Sequence, residues 1–412
     1  MKFPVNRLLA AKGLRAFGDG YVALLLPAYL LNLGFSPLRV GLIATTTLFG
    51  SGLLTLLVGL YAHRYHYRSL LLAATVLMAA TGLGFAFVSD FWPLLLIALI
   101  GTLNPSSGDV SVFLPLEHAA LSHLVDDKRR TTVFARYSLA GSLVAALGSL
   151  AAGLPAWIAD AANVSVIVGI QAMFVLYAML AGLAALVYRT LPRTLGSGAQ
   201  QRAAPLTTSK KTVYTLAALF SLDAFAGGFV VQSMVALWLY QEFSLSLAAA
   251  ATLFFWTGIL TAGSYLVAAR IASRIGLINT MVFTHLPSSL CLIAIPFMPS
   301  LGYVIALLFV RSALSQMDVP TRSSYVMAIV PPAERPAAAS ITSVPRSLAS
   351  AVSPFAAGYL LGASAFGWPL LIAGILKIAY DLLLLLRFGN VRPPEEQRAQ
   401  GPEPVDARSG IR

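Results

Sequence analysis

The chain alternates between long apolar runs and short polar breaks. The runs measure roughly 18–25 residues, the length of helix that crosses a hydrocarbon layer about 30 Å thick. The breaks carry turn residues, as in Gly34-Phe35-Ser36-Pro37. The pattern predicts an all-α polytopic membrane protein with twelve spans, at 8–32, 39–61, 69–89, 92–115, 133–157, 165–188, 213–240, 248–270, 278–298, 301–328, 337–362 and 368–387.

Composition and charge agree with a membrane protein. Of 412 residues, 58% are hydrophobic and 11% are charged, whereas a soluble domain carries about 25% charged residues. Lys and Arg concentrate in alternate breaks, which the positive-inside rule places in the cytoplasm. We therefore expect a multi-pass protein of a bacterial inner (plasma) membrane with both termini cytoplasmic. The net charge of +12 reflects this bias and indicates no nucleic-acid partner.

One polar interval between the spans is much longer than the others. It predicts an N-terminal six-helix bundle over 1–188, a cytoplasmic linker over 189–212 and a C-terminal six-helix bundle over 213–388. The polar residues 389–412, rich in Pro, Glu and Arg, predict a disordered cytoplasmic tail.

The two predicted bundles repeat each other. A shift of roughly 208–210 residues places Gly50 on Gly258, Asp109 on Asp318, and Arg136 on Arg346. Parallel repeats of this kind are typical of transporters that build a central site between two halves and alternate its access to the two sides.

The break between the second and third spans carries a family resemblance. Residues 59–68 read Gly-Leu-Tyr-Ala-His-Arg-Tyr-His-Tyr-Arg and share Gly59, Ala62, Arg64 and Arg68 with the signature Gly-x-Leu-Ala-Asp-Arg-x-Gly-Arg-Arg. With the repeat, this makes the chain similar to the major facilitator superfamily over roughly residues 8–388. His63 stands where the signature has its acid, which puts the family's usual cytoplasmic contact of this loop in doubt.

Ionisable and polar side chains inside spans are the candidate functional residues, since burying them in a membrane is costly. The resemblance implies that helices 1, 4, 7 and 10 line a central cavity. The candidates for its substrate and proton-coupling groups are Asp19, Asp223, Arg311, Arg15, Asn104 and Gln232. We expect Asp19 or Asp223 to exchange a proton as water access alternates, and Arg311 to hold an anionic group or to pair with either acid.

Other charges favour structural roles. Arg15 and Asp19, at i and i+4, alternatively pair with each other, as do Lys377 and Asp381 in the last span. Gating contacts near the cytoplasmic face are expected from Arg64, Arg68, Asp109, Asp318, Arg136, Arg346 and Arg274.

The sequence therefore predicts a secondary active transporter for a small solute, coupled to protons or another ion. The resemblance, to a family in which exporters are common, favours export of a drug or other organic compound over uptake. The alternatives are an importer or facilitator of a small organic anion and, more remotely, a membrane sensor or scaffold with the same fold. An enzyme is not expected, because no catalytic triad or phosphate-binding loop is present. No cofactor or metal is expected, and the predicted oligomeric state is a monomer in the lipid bilayer.

Overall fold

The computed structural model describes residues 2–61, 65–106, 111–125, 127–192, 206–331 and 334–391. Every regular element within these ranges is a helix. Ten helical stretches among the described residues are long and apolar enough to cross a membrane. The all-helical, polytopic fold class predicted from the apolar runs is confirmed.

Eight helices form the first half of the chain. They are α1 (Lys2–Asn32), α2 (Pro37–Tyr61), α3 (Tyr67–Phe87), α4 (Phe91–Ile100), α5 (Phe113–Leu124), α6 (Asp127–Ala151), α7 (Leu154–Ala162) and α8 (Val166–Arg189). α1 packs against α6 and α8, and α3 packs against α8. Six predicted spans yield eight helices because the fourth and fifth spans are each interrupted.

A short 3₁₀ helix, Ile295–Phe297, and eight more α-helices lie among the described residues of the second half. The α-helices are α9 (Lys210–Gly228), α10 (Gln232–Phe243), α11 (Leu247–Ile275), α12 (Leu277–Ala294), α13 (Leu301–Leu314), α14 (Asp318–Ile329), α15 (Arg335–Ala363) and α16 (Trp368–Phe388). α9 packs against α15 and α16, and α12 packs against α16. The domain limits at 188 and 213 stay predictions, since residues 193–205 of the linker and 392–412 of the tail lie outside the described residues.

The predicted fourth and seventh spans are broken in mid-membrane. α4 ends at Ile100 and α5 begins at Phe113, so the continuous helix predicted over 92–115 is wrong. Gly101 and the Asn104-Pro105 pair explain the break, because glycine weakens a helix and the residue before proline disfavours helical backbone. The seventh span divides into α9 and α10 after Gly228.

The two halves meet closely where α2 crosses α15. A Cβ atom on Gly41 would lie 2.3 Å from the carbonyl oxygen of Pro354, and one on Gly358 would lie 2.5 Å from the carbonyl oxygen of Pro37. The backbone N–H of Phe355 donates to Oγ1 of Thr45 across the same crossing, at 2.8 Å. Only glycine allows the backbones to approach this closely.

A second contact between the halves lies near the same end of the bundle. The hydroxyl of Tyr240, on α10, donates to the carbonyl oxygen of Leu24, on α1, at 3.1 Å. The topology predicted from the basic residues makes this the outer end. The structure thus holds the halves together on the predicted outer side.

The start of α15 is tied to the start of α9 by one carboxylate. Glu334 accepts hydrogen bonds from the backbone N–H groups of Thr207, Thr208 and Ser209, at 3.1, 3.0 and 3.2 Å. The hydroxyls of Thr207 and Ser209 also donate to it. These donors, led by the Ser209 hydroxyl, lower the pKa of Glu334 to about 2, because they favour the charged form.

We expect the Glu334 contact to make stability depend on acid pH. A carboxyl group whose pKa falls on folding contributes stability above its unfolded pKa, near 4.5, which is lost as the pH falls toward about 2. The melting temperature of detergent-solubilised Glu334→Gln should therefore lie below that of wild type at pH 7, and the difference should shrink as the pH is lowered to 3. Glu242→Gln, at an exposed carboxylate, is the matched control. Parallel wild-type and Glu334→Gln curves over pH 3–7 would contradict the assignment.

We also expect the α2–α15 crossing to close the outer side. The natural cysteine is first removed with Cys291→Ala, and Gln232→Cys then introduces a single cysteine whose labelling reports access from outside. In this background, Gly358→Val should speed labelling by an external, membrane-impermeant maleimide, because the larger side chain disfavours the closed crossing. Overpacking costs about 1–3 kcal/mol, which changes a conformational equilibrium roughly tenfold or more. Gly263→Val is the control, since a Cβ atom there meets no atom within 4 Å. Equal labelling rates in the two variants would refute a closed outer side.

Candidate functional site

The first half encloses a buried ion pair between α1 and α5. Nη2 of Arg15 pairs with Oε2 of Glu117, and the guanidinium lies over the ring of Phe113, 4.1 Å from its centroid. The hydroxyls of Tyr188 and Tyr137 donate to the same carboxylate, Tyr188 at 2.6 Å. Arg15 is 3% exposed and Glu117 is fully buried. Arg15 thus makes its ion pair with Glu117, on another helix, a partner that the i,i+4 spacing did not indicate.

Asp19, one turn further along α1, lies beside the break between α4 and α5. The hydroxyl of Tyr177 is 3.5 Å from Oδ1 of Asp19 and donates to the carbonyl oxygen of Thr102 at 3.3 Å. Oδ1 of Asn104 accepts from the backbone N–H and the hydroxyl of Ser106, at 3.1 and 2.7 Å. Polar side chains and backbone carbonyl groups therefore lie together where the helix is interrupted at residues 101–106.

The break before α10 meets this region from the other half. The backbone N–H of Ser233 donates to the carbonyl oxygen of Pro105 at 3.1 Å, and Gln232 is the first residue of α10. The hydroxyls of Thr102 and Ser233 are buried and have no hydrogen-bond partner among the described residues. We call Asp19, Thr102, Asn104, Tyr177, Gln232 and Ser233 the break site.

The second half encloses a larger charge cluster centred on Asp223. Oδ1 of Asp223 accepts from Nζ of Lys377, on α16, at 2.7 Å, and Oδ2 accepts from Nη2 of Arg322, on α14, at 2.8 Å. Arg322 also pairs with Asp318, one turn earlier in its own helix. Since two cations hold both of its oxygens, Asp223 is an ionised anchor between α9, α14 and α16.

His285, on α12, completes the second cluster. Its Nδ1 lies 2.9 and 3.0 Å from the two carboxylate oxygens of Asp381, and its Nε2 lies 3.3 Å from Nζ of Lys377. These three side chains and that of Asp223 are all buried. The predicted local pair between Lys377 and Asp381 is therefore wrong, because each makes its contact with another helix.

The other residues predicted for the cavity or for gating differ in how exposed they are and in their contacts. Arg136 and Arg274 are exposed. Arg68 donates to the carbonyl oxygen of Leu191 at 3.3 Å. Nε atoms of Arg311 and Arg346 are buried with no hydrogen-bond partner among the described residues. The gating contacts expected of Arg64 and Asp109 lie outside the described residues.

The sequence reasoning missed Arg322 and His285 as functional candidates. Both stand inside predicted spans, and an ionisable residue in a span is by itself a signal of function. Arg322 also follows Asp318 at i+4, the spacing already used for two other pairs. Their partners on other helices, Asp381 and Asp223, lie 96 and 99 residues away along the chain and carry no local pattern.

Comparisons with known proteins agree with this architecture. The family model described as Major Facilitator Superfamily matches residues 8–317 and 217–411. An uncharacterized membrane protein of Saccharomyces cerevisiae, YJR124C, is 24% identical over 94% of each chain.

Solved transporter structures share the fold. A mutant form of the nucleoside transporter NupG has a TM-score of 0.74 and 15% identity, covering 93% of this chain and 100% of the other. The inward-open xylose transporter XylE from E. coli has a TM-score of 0.72 and 17% identity, covering 96% and 98%. The human organic anion transporter MFSD10 has a TM-score of 0.65 and 18% identity, covering 92% and 98%.

The ion pair in the first half gives a stability prediction. Removing one partner of a buried pair costs about 3–5 kcal/mol, because the other charge remains buried and unpaired. We expect Glu117→Gln and Arg15→Met each to lower the melting temperature of the purified protein strongly. The double variant should be more stable than either single variant. Asp90→Asn, at an exposed carboxylate, is the control, and additive losses in the double variant would contradict the pairing.

Proposed function

Since the chain belongs to the major facilitator superfamily, a family of membrane transporters, we propose that it is a proton-coupled secondary transporter that exports a small organic solute. The proposal includes alternating access by movement of the two halves against each other. It is supported by the charge clusters in both halves, since buried ionisable groups in a membrane protein mark transport pathways and proton relays.

We propose the break site as the position of the solute. One observation carries this assignment: the N–H of Ser233 meets the carbonyl oxygen of Pro105, so the interrupted helices of both halves touch each other. Transporters of this type bind solutes at interrupted helices between their repeats, because unwound backbone there is free to make hydrogen bonds. The buried hydroxyls of Thr102 and Ser233 lack partners among the described residues, and a solute with hydroxyl or amine groups would satisfy them.

Asp19 is the acid that we assign to the break site. It faces Tyr177 next to Thr102, whereas Asp223 is held by two cations in the second cluster. A carboxylate beside the solute exchanges a proton when the surrounding water is removed and returned. Proton binding at Asp19 would thereby compete with a cationic or hydrogen-bond-donating solute.

The second candidate function is transport of a small organic anion, and it rests on Arg311. Its buried Nε has no hydrogen-bond partner among the described residues, and a guanidinium group binds carboxylates well. MFSD10 is described as an organic anion transporter. Arg311→Gln should abolish transport under this alternative and leave it intact if the solute occupies the break site.

The test is transport by purified protein in liposomes. A thermal-shift screen over nucleosides, pentoses and organic anions selects the probe, because a ligand of the native state raises the melting temperature. For an exporter that exchanges solute for protons, vesicles with an acidic interior should accumulate the probe as protons leave. Accumulation driven by an acidic exterior would instead show proton-coupled uptake, and indifference to both gradients would refute proton coupling.

Asp19→Asn tests the assigned acid. We expect it to lose gradient-driven accumulation, because the amide cannot release a proton, while exchange of labelled for unlabelled probe continues. Asp90→Asn is the control. Retention of gradient-driven accumulation in Asp19→Asn would remove Asp19 from the coupling step.

A further inference from the structure

The imidazole of His285 is held between an anion and a cation. On one side, Nδ1 lies 2.9 and 3.0 Å from the carboxylate oxygens of Asp381. On the other side, Nε2 lies 3.3 Å from Nζ of Lys377 and 3.8 Å from Oδ1 of Asp223. The two ring nitrogens therefore meet opposite charges.

These contacts assign the proton of the ring. An ionised carboxylate only accepts hydrogen bonds, so Nδ1 must carry the hydrogen that Asp381 accepts. An ammonium group only donates, so Nε2 must present its lone pair to Lys377. The described arrangement therefore requires neutral His285 with its hydrogen on Nδ1.

A second proton on Nε2 cannot coexist with the Lys377 contact. The proton takes the lone pair that accepts from Lys377, and two cations would then stand about 3 Å apart, where repulsion amounts to several kcal/mol. Oδ1 of Asp223 is the nearest acceptor for the new N–H, and it is the same oxygen that accepts from Lys377. Protonated His285 and Lys377 would therefore both approach one carboxylate oxygen, which can accept two hydrogen bonds, and the repulsion between the two cations is what separates them.

We infer that His285 is a proton-binding site, and that binding of the proton replaces Lys377 by His285 as the hydrogen-bond partner of Oδ1 of Asp223. With His285 neutral, Lys377 ties α16 to α9 through Asp223. When a proton from water adds to Nε2, the Lys377–Nε2 hydrogen bond breaks, Nε2–H donates to Asp223, and Lys377 is released. No bond other than N–H forms, and the proton leaves by the reverse path.

The ring of His285 lies among charges of both signs. The groups in direct contact within the cluster are the carboxylates of Asp223, Asp318 and Asp381 and the cations Arg322 and Lys377. The side chains that face it from neighbouring elements are Tyr380 on α16, at 6.0 Å between ring centroids, Arg346 on α15, near Asp223, and Arg311 on α13, near Cys291 of α12. The surroundings thus hold three carboxylates and four cations, and the groups nearest the ring are the carboxylates of Asp381 and Asp223 and the ammonium of Lys377.

The site is connected to the break site through the seventh span. Asp223 lies on α9, and α9 leads through residues 229–231 into α10, whose Ser233 contacts Pro105. A change in the Lys377–Asp223 contact between α16 and α9 would therefore be transmitted to the start of α10, which lies beside the proposed solute position. The purpose of the site rests on the proposed proton-coupled function, but proton binding and partner exchange can be measured without any solute.

The experiment is nitrogen NMR of histidine-labelled protein in detergent over pH 5–8. The chain has histidines at 63, 66, 118, 123 and 285, so replacing the first four with Gln leaves His285 as the only signal. At pH 8 we expect the Nδ1–H tautomer, with Nε2 unprotonated, and at low pH a doubly protonated ring. A ring that stays neutral down to pH 5, or an Nε2–H tautomer at pH 8, would overturn the inference.

Lys377→Met tests the competition. Without the neighbouring ammonium, His285 should bind its proton at a proton concentration at least ~10-fold lower, since a like charge at this distance disfavours protonation. Lys377→Arg keeps the cation and should restore the wild-type midpoint. An unchanged midpoint in Lys377→Met would show that the two groups do not compete.

The liposome assay separates this inference from the proposed function. Proton-driven transport that keeps its wild-type pH profile in His285→Gln would refute a coupling role for the site. His285→Gln is compared with His66→Gln, whose histidine is exposed. Indifference of wild-type transport to both proton gradients, together with the expected NMR titration, would instead refute the proposed function and leave the proton site standing.

Discussion

The interior of a membrane offers no water to solvate a charge, and this constraint shapes most of the structure. Each buried charge must find its partner inside the helix bundle, and burial without a partner is strongly unfavourable. The chain meets the constraint by gathering charges into two clusters, one in the core of each half. The Arg15–Glu117 pair ties α1 to α5, and the Asp223 cluster ties α9 to α12, α14 and α16. Charge thereby stabilises each half from within.

The contacts between the halves are of another kind. At Gly41 and Gly358 two backbones approach without side chains between them, and Gly258 meets Ala146 in the same way at the α6–α11 contact. Small residues give van der Waals contact that separates without leaving a charge exposed to lipid. Among the described residues, the ion pairs stay within each half, whereas small-residue packing and single hydrogen bonds cross between the halves. This distribution suits the proposed movement of the halves against each other.

The fold could be predicted because helices depend on patterns among neighbouring residues. The contacts of the site could not be predicted, because their residues lie far apart along the chain. Apolar runs and turn residues are local, so the spans followed from the sequence, but the fourth span was predicted as continuous over 92–115 and its break after Ile100 was missed. Asp19, Asp223, Asn104 and Gln232 were selected as ionisable or polar residues within spans. The residues that pair with them were not identified, because no periodicity connects Asp223 to Lys377 or Asp381 to His285. The i,i+4 rule even misled, because Asp381 and Lys377 satisfy it without contacting each other.

The two clusters occupy equivalent positions of the repeat but contain different ionisable residues. A shift of 208 residues places Asp223 on Arg15, so equivalent positions of the first and seventh spans carry opposite charges. In the first half, one cation and one carboxylate are enclosed by tyrosine hydroxyls, and neither residue type ordinarily changes charge between pH 5 and 8. The second half adds His285, the side chain type that does so. Equivalent scaffolds thus carry an arginine–glutamate pair in one half and a cluster that includes a histidine in the other. In the proposed transporter, protons would therefore act at two places, at Asp19 beside the solute in the first half and at His285 in the second half, while the Arg15–Glu117 pair keeps its charges.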